Sequence, residues 1–267
     1  MKISEAIELL RLSGVENPRQ DARAIFAKFS GHSPSELVLG DTFCDSPELI
    51  LAISRRAKRE PLQYIIGEVD FYRESYRVTP DCLIPRQDTE ILVDFAVHNI
   101  PTGRKFIDLC TGSGCVAIST LKNTDKTYAT ALDISEPALK TARENAKRNG
   151  VFDRINFVCA DLFDFVPTDE VFAVLSNPPY VSETAYASLE PEIYHEPKIA
   201  FVGGAVGTVF YEKILDLYKG KVLKGGFFAF EIGYDQGEAL RELAKKEGMT
   251  CDIIKDYSGL DRVAVIK

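Results

Sequence analysis

The sequence predicts an α/β protein with a doubly wound parallel sheet, preceded by a small helical domain. Three observations lead to this fold class. Residues 1 to about 60 carry apolar residues at helical spacing, as in ISEAIELLRL. From Phe106 onwards, short apolar runs alternate with helical stretches, which is the pattern of a parallel sheet. The chain closes with two strand-like runs separated only by SGLD, so its last strand should run antiparallel to its neighbour.

These changes of pattern set the expected domain boundaries. We predict a helical N-terminal domain over residues 1–62, in which Asn17-Pro18 and Ser46-Pro47 each place a capping residue before a proline. The stretch QYIIGEVDFYRESYRV is rich in aromatic and β-branched residues, and it predicts a β-hairpin linker over residues 63–84. Residues 85–267 then form the α/β domain.

The elements of the α/β domain follow in order. FIDLC at residues 106–110 is the first strand, and the helix GCVAISTLK comes after it. YATALDI, INFVCAD, VFAVLSN and GFFAFEIG are the next four strands. The helix SEPALKTARENAKRNG has Ser135 as its N-cap and Gly150 as its C-terminal stop. Two further helices are predicted at residues 210–219 and in GEALRELAKKEG, before the final hairpin of CDIIKDY and RVAVIK.

Charge and composition exclude several classes of protein. The net charge of −8 and the pI near 5.1 argue against stable nucleic-acid binding through phosphate neutralisation. The six cysteines and three histidines lack the spacing of metal ligands, so no metal site is predicted, and scattered thiols suit a reducing compartment. The N-terminus carries acidic residues and no long apolar run, which predicts neither a signal peptide nor a membrane span. We therefore expect a cytoplasmic location.

Polar residues fall at the ends of four consecutive predicted strands. They are Asp108, Asp133, Asp161 and Asn177. Ligands of doubly wound sheets bind beyond the carboxyl ends of the strands. The sequence therefore predicts one pocket rimmed by these four side chains.

A glycine loop, CTGSGCVA at residues 110–117, lies between the first strand and its helix. Gly112 and Gly114 allow a sharp turn and a close approach of ligand to backbone. An acid about twenty residues later, here Asp133, accepts hydrogen bonds from ribose hydroxyls whether the nucleoside is NAD or S-adenosylmethionine. The loop alone thus indicates a cofactor containing adenosine. The alternative is a purely structural role, as a tight turn without a ligand.

The terminal antiparallel strand decides between these cofactors. A dinucleotide-binding fold does not require such a strand, whereas the class I S-adenosylmethionine-dependent methyltransferase fold has one. Asp108, two residues before the loop, also resembles the methyltransferase pattern. The sheet therefore resembles a class I methyltransferase fold.

The stretch AVLSNPPYVSE indicates what such a domain methylates. Two consecutive prolines continue neither a strand nor a helix, and they fix the backbone where Asn177 and Tyr180 emerge. The Asn177 side-chain oxygen and the Pro178 carbonyl can each accept one N–H of a planar NH2 group, and Tyr180 offers a flat face. The bland alternative is a Pro-Pro turn that simply ends a strand.

Two families share the NPPY motif, the amino-methyltransferases of nucleic-acid bases and the glutamine methyltransferases of proteins. The chain resembles the second, the HemK/PrmC family of release factor glutamine N5-methyltransferases. The resemblance rests on LIPRQDTE (83–90), DLCTGSGCVAIS, NPPYV, EPKIAFVGG (196–204), EIGYDQGEA and DYSGLDRV. It implies methylation of the glutamine in the GGQ motif of peptide chain release factors, with S-adenosyl-L-methionine as methyl donor and S-adenosyl-L-homocysteine as product.

The resemblance also implies roles for individual residues. Asn177, Pro178 and Tyr180 are the expected catalytic residues, and together with Pro179 they would hold the glutamine. The residues expected at the cofactor are Asp108, Cys110, Thr111, Gly112, Ser113, Gly114, Asp133, Asp161, Leu162 and Asn177. Two stretches depart from the family pattern: Gln87 stands where proline is usual, and the three residues Val206-Gly207-Thr208 stand where Asp-Gly-Leu is usual.

Three alternatives stay open at this point. The first is a DNA or RNA adenine methyltransferase that uses the same NPPY motif. The second is a non-catalytic nucleotide-binding module, which would have no use for Asn177. The third concerns the basic run at residues 55–59, which either contacts RNA or an acidic partner or forms a solvated helix end. A nucleophilic role for Cys110 or Cys115 is disfavoured because no histidine lies near either in sequence.

Overall fold

The computed structural model describes residues 1–165, 167–205 and 207–267, with only the backbone given for Pro34 and Leu39. Val206, one of the positions that depart from the family pattern, lies outside the described residues. The chain divides into two compact units. The first comprises residues 1–68 and 190–195, and the second comprises residues 69–189 and 196–267.

The first unit is helical, as predicted. Its helices are α1 (Ile3–Leu12), α2 (Pro18–Ser30), α3 (Pro34–Leu39), α4 (Pro47–Ala57) and α5 (Leu62–Ile66). Ser46 caps α4 by accepting a hydrogen bond from the Leu49 amide, whereas the Asn17 side chain makes no capping bond to α2. A small apolar core, which includes Leu10, Ile25, Phe26, Leu49 and Ile53, is fully buried between these helices.

The basic run at residues 55–59 forms ion pairs inside the first unit. Arg56 is 6% exposed, and it donates from Nε to Asp21 Oδ2 over 2.7 Å and from Nη1 to Glu192 Oε1 over 3.0 Å. Arg59 donates to both carboxylate oxygens of Glu192 at 2.6 Å, and Arg55 pairs with Glu60. A buried arginine needs such partners to offset its desolvation. Arg56 and Arg59 therefore join distant segments of this unit, and neither sequence interpretation of the run describes these contacts.

The predicted hairpin is shorter than residues 63–84. Its strands are β1 (Glu68–Phe71) and β2 (Glu74–Arg77), and Tyr72 between them has φ of +59°. Part of the expected hairpin is instead helix α5, which ends at Gly67 in the left-handed region. Phe71 and Tyr76 are buried in the core of the second unit, so β2 is part of that unit's packing rather than a free linker.

The second unit contains a seven-stranded mixed sheet, and this confirms the predicted fold class. The order across the sheet is β5-β4-β3-β6-β7-β9-β8. Strands β3 to β7 are parallel, and β9 runs antiparallel to both β7 and β8. The strands are β3 (Lys105–Leu109), β4 (Tyr128–Asp133), β5 (Ile155–Cys159), β6 (Val171–Ser176), β7 (Val222–Glu231), β8 (Cys251–Lys255) and β9 (Asp261–Ile266).

Helices cover both faces of the sheet. They are α6 (Glu90–Asn99), α7 (Cys115–Lys122), α8 (Glu136–Arg148), α10 (Val209–Tyr218) and α11 (Gly237–Lys246). The short helix α9 (Glu183–Tyr186), which follows the NPPY segment, has no buried residue. Successive side chains along a strand point to opposite faces of the sheet, and each face carries an apolar core. Phe106 packs in one core, whereas Ile107 and Leu109 pack in the other. The cap at Ser135 is confirmed, since its hydroxyl accepts from the Ala138 amide.

Helix α6 was not expected from the sequence. Its stretch EILVDFAVHN is apolar around much of its circumference and lacks a clear amphipathic period, and a helix buried in this way gives a weak periodic signal. Across the described residues, no helix combines the length and the apolar character needed to cross a bilayer.

Candidate active site

The site lies at the carboxyl edge of the sheet, where the chain switches sides between β3 and β6. These strands are neighbours, with Leu109 in register with both Leu132 of β4 and Ser176 of β6. The strand ends therefore bring Asp108, Asp133 and Asn177 to one edge, as the switch-point rule requires. All three line cavities there.

The glycine loop holds the carboxylate of Asp133 in place. The Gly112 amide donates to Asp133 Oδ2 over 2.8 Å, and the Ser135 amide donates to Oδ1 over 2.9 Å. Gly112 adopts φ of +55°, a conformation that glycine reaches without strain. Each carboxylate oxygen can accept two hydrogen bonds, so both oxygens keep capacity for a ligand. Burial raises the pKa of Asp133, and the backbone amides oppose this rise.

Gly114 and Cys110 shape the loop in different ways. At Gly114, with φ of +83°, a Cβ atom would lie 2.9 Å from Ile118 Cδ1 and 3.1 Å from Ala142 Cβ. The loop can therefore pack on α7 and α8 only because this residue is glycine. Cys110 adopts φ of +59°, and burial raises the pKa of its thiol. A thiol in this state is a poor nucleophile, in agreement with the sequence argument.

Asp108 has a carboxylate oxygen left over inside the protein. The residue is 1% exposed, and its Oδ2 accepts from the Thr111 hydroxyl over 2.5 Å and from the Ala117 amide over 3.2 Å. Its Oδ1 has no hydrogen-bond partner among the described residues. Burial raises the pKa of Asp108 to about 7. A buried acceptor of this kind, next to a cavity, is suited to a cationic or N–H-bearing ligand group.

Two adjoining cavities meet at this edge. The larger measures about 240 Å³, and it has an apolar wall that includes Leu132, Ile134, Leu162, Phe163 and Phe210. Asp81, Asp133 and Asp161 supply its charged groups, and the Phe163 amide holds Asp161 by donating to its Oδ1. The smaller cavity is lined by Asp108, Thr111, Ser113 and Thr89 among others, and Leu83, Cys110, Gly112 and Asn177 line both cavities.

The NPPY motif is braced by loops on the same edge. At Gly203 a Cβ atom would lie 2.2 Å from the Pro179 carbonyl oxygen, so a larger residue would push the two segments apart. The Gln236 amide donates to the Tyr180 carbonyl over 3.2 Å and to the Gly207 carbonyl over 3.4 Å. Both contacts act on the backbone of the motif. The position of the motif is therefore set by Gly203 and Gln236.

The predicted site residues are not all in contact with the cavities. Among the residues that the structure describes around them, Pro179 and Asn177 are lining residues, whereas Gly114, Pro178 and Tyr180 are not. Pro178 is buried, and the Tyr180 hydroxyl donates to Glu231 Oε1 over 3.1 Å. The predicted contact of Pro178 and Tyr180 with substrate stays a prediction.

Several site residues were missed in the sequence. Glu196 is 5% exposed, and it accepts from the Ile84 amide over 2.9 Å and from the Arg86 guanidinium, which fixes the segment 83–86 along both cavities. Thr89 and Glu231 lie behind Asn177. The signal for Glu231 was present, because GFFAFEIG is a fifth parallel strand that ends in a polar residue. Thr89 and Glu196 lie in loop motifs whose side-chain directions the sequence does not give.

Comparisons with known proteins bear on this geometry. A family model described as a methyltransferase small domain matches residues 87–214, and one described as the PrmC N-terminal domain matches residues 3–67. A release factor glutamine methyltransferase from Thermodesulfovibrio yellowstonii is 39% identical over 80% of this chain and 79% of its own. One from Moorella thermoacetica is 33% identical over 97% of this chain and 95% of its own. The chain belongs to the release factor glutamine methyltransferase family.

Membership of this family confirms the resemblance stated from the sequence motifs and makes the protein a methyltransferase. A solved structure, the ribosomal protein L11 methylase of Lactobacillus delbrueckii subsp. bulgaricus, superposes with a TM-score of 0.53 at 19% identity. It covers 72% of this chain and 83% of its own, and at this identity it speaks for the shared fold alone.

We predict that ligand affinity depends on the ionisation of Asp108. With a pKa raised to about 7, the carboxyl is neutral below pH 7 and charged above it. Pairing with an ammonium group requires the charged form, so affinity for S-adenosylhomocysteine should rise about tenfold from pH 6 to pH 8. Isothermal titration across this range measures it. Asp108→Asn should flatten the profile, and an equally steep profile in that variant would contradict the assignment.

Asp133→Ala should weaken binding of S-adenosylhomocysteine by roughly one to two orders of magnitude, the range expected when hydrogen bonds to a charged acceptor are lost. Isothermal titration measures the affinity, and a thermal melt checks that the loop survives without its two amide contacts. Unchanged affinity in a folded variant would remove Asp133 from the site.

Proposed function

We propose that this protein transfers a methyl group from S-adenosylmethionine to the side-chain amide nitrogen of the glutamine in the GGQ motif of peptide chain release factors. The observation that carries the proposal is the placement of Asn177. Its side chain lines both cavities, in a chain whose relatives are named release factor glutamine methyltransferases. An amide acceptor beside a nucleoside-sized cavity is what an NH2-bearing substrate requires.

The residues around the cavities fit S-adenosylmethionine. The apolar wall at Ile134, Leu162 and Phe163 suits a purine ring, and the carboxylate of Asp133 suits a ribose diol. The unpaired Asp108 Oδ1 in the smaller cavity suits the ammonium of an amino acid. When bound, S-adenosylmethionine supplies a methyl group on a positively charged sulfur, which a weak nitrogen nucleophile can accept.

The work of the protein is to orient that nitrogen. The lone pair of an amide nitrogen is delocalised into its carbonyl, so the amide reacts only when it is held in line with the departing methyl group. Asn177 Oδ1 and the Pro178 carbonyl accept the two N–H groups of the glutamine and fix its plane. The two prolines carry no N–H that would compete for these acceptors. Positioning of this kind needs no covalent intermediate.

A general base is not required for the transfer itself. The nitrogen becomes positively charged as the methyl group arrives, and its proton becomes acidic only then. The carboxylate behind the motif, Glu231, already accepts bonds from Thr89 and Tyr180. Because the proton becomes acidic only after the methyl group has arrived, it can leave to solvent, and Glu231 is not needed to accept it.

We further propose that residues 1–62 dock the protein substrate and that residues 85–267 carry out catalysis. The two cavities are lined by residues of the second unit, whereas the first unit is a helical bundle with its own core. The cytoplasm is the proposed location, since all six cysteines are thiols and not disulfides.

The test is to incubate the protein with labelled S-adenosylmethionine and either a release factor or adenine-containing nucleic acid. Peptide mass spectrometry then locates the label. Methyl on the GGQ glutamine is the expected result. Methyl on adenine would support the nucleic-acid alternative, and binding of cofactor without transfer to either would support the non-catalytic one.

Asn177→Ala should lower methyl transfer by on the order of 10² or more, the loss seen when one preorganised polar group is removed from a reacting centre. Affinity for S-adenosylhomocysteine should change little, because the glycine loop and Asp133 remain. Single-turnover assays give the rate, and thermal melts control for folding. Transfer near the wild-type rate would sink the proposed role of the motif.

Deletion of residues 1–62 should leave binding of S-adenosylhomocysteine intact and abolish methylation of a folded release factor. The deletion also removes Arg56 and Arg59, which donate to Glu192 and fix the segment around it. A short glutamine peptide is therefore the matched substrate, because it needs the active site but not the docking surface. Full activity of the truncated chain on the folded release factor would show that residues 1–62 do not dock it.

A further inference from the structure

A buried chain of hydrogen bonds runs away from Asn177 into the protein. Asn177 Nδ2 donates to Thr89 Oγ1 over 3.2 Å. Thr89 Oγ1 in turn donates to Glu231 Oε2 over 2.5 Å. Thr89 is 1% exposed and Glu231 is 2% exposed, so both are shielded from bulk water. The chain links the end of β6 to the end of β7 through the segment before α6.

When Glu231 is ionised, the donors and acceptors in this chain can be arranged in only one way. A carboxylate has no hydrogen to donate, so Thr89 must give its single hydroxyl hydrogen to Glu231. The oxygen of Thr89 is then left as an acceptor towards Asn177. Only the NH2 end of the Asn177 amide can meet that acceptor. The Asn177 oxygen must therefore point the other way, towards the cavities.

We propose that Glu231, acting through Thr89, is a positioning residue that sets which end of the Asn177 amide faces the substrate. This inference rests on the proposed function, because the outward-facing oxygen matters only if the substrate presents an N–H. An amide is nearly symmetric in shape, so packing alone distinguishes its two ends poorly. The buried carboxylate of Glu231 distinguishes the two ends of the amide, because it can only accept a hydrogen bond from Thr89.

The neighbours of Glu231 donate hydrogen bonds to its carboxylate and hold it in place. Its second oxygen, Oε1, accepts from the Tyr180 hydroxyl over 3.1 Å, so each oxygen accepts one hydroxyl of the site. Burial raises the pKa of Glu231 overall, and these two hydrogen bonds and the nearby Arg262 guanidinium oppose the rise by favouring the charged form. Arg262 is itself held by Asp88 and Asp256 at 3.3 and 3.2 Å. Glu231 thus joins both NPPY side chains, Asn177 and Tyr180, in one network.

The proposal predicts a defect from a change that barely alters shape. Glu231→Gln removes the fixed polarity, because its amide can present an NH2 to Thr89 while its oxygen keeps an acceptor for Tyr180. Thr89 then donates to Asn177, whose oxygen turns inward and whose NH2 faces the substrate. Single-turnover transfer to the release factor should fall on the order of tenfold to 10². KM and the affinity for S-adenosylhomocysteine should stay within about twofold, since the glycine loop, Asp133 and the proposed docking surface are unchanged.

The sharpest test is a rescue. Asn177→Asp alone should be impaired, because its second carboxylate oxygen meets the lone pairs of Thr89. When Glu231→Gln is added, the introduced glutamine amide donates to Thr89, Thr89 donates to the introduced aspartate, and an oxygen still faces the substrate. The double variant should transfer at least about tenfold faster than Asn177→Asp alone, whereas independent defects would multiply.

Two controls keep the test decisive. Glu74→Gln changes another buried carboxylate, one that accepts from Ser119 and Asn123, and it should leave transfer unchanged.

If Glu231→Gln fails to fold in a thermal melt, variants of Thr89 provide the test. Thr89→Ser should retain activity and Thr89→Val should lose it. A double variant no faster than Asn177→Asp, or an active Thr89→Val, overturns the inference while wild-type transfer to glutamine stands. Absence of transfer by the wild type overturns the proposed function as well.

Discussion

The chemistry of the site depends on the buried carboxylate of Glu231 and the direction in which it forces its neighbours to donate. Through Thr89 it fixes the NH2 end of Asn177, and it also binds the Tyr180 hydroxyl. A polar network inside a protein is costly unless every member is satisfied, and that cost makes its polarity specific. Because the NH2 of Asn177 is bound to Thr89, the side-chain oxygen of Asn177 is left available for the ligand.

The fold supplies the frame for this network at the carboxyl edge of the sheet. Residue 176 of β6 pairs with residue 230 of β7, so Asn177 and Glu231 follow from adjacent strand ends. The Gln236 amide and the close approach at Gly203 then hold the backbone of the NPPY motif. On the other side of the switch point, the glycine loop and Asp133 form the wall that suits a nucleoside. Cofactor and substrate sides thus share β3 and β6.

Much of this arrangement could be predicted from the sequence, because the ends of the strands can be recognised in it. Asp108, Asp133 and Asn177 follow apolar runs, and parallel strands bring such ends together whatever the details of packing. Thr89 and the partners of Arg56 could not be predicted in this way, since their contacts join residues 142 and 136 positions apart. Helix α6 escaped for a related reason: burial on several sides removes the periodic pattern that marks a surface helix.

Neutron diffraction from crystals of the deuterated protein tests the central claim most directly, since it locates the hydrogens that set the polarity. The account predicts a deuteron bonded to Thr89 Oγ1 and directed at Glu231. It also predicts both amide deuterons of Asn177 on the atom nearer Thr89, with the bare oxygen facing the cavities. A deuteron bonded to Glu231 and directed at Thr89, or the deuterated amide nitrogen of Asn177 turned towards the cavities, would contradict it.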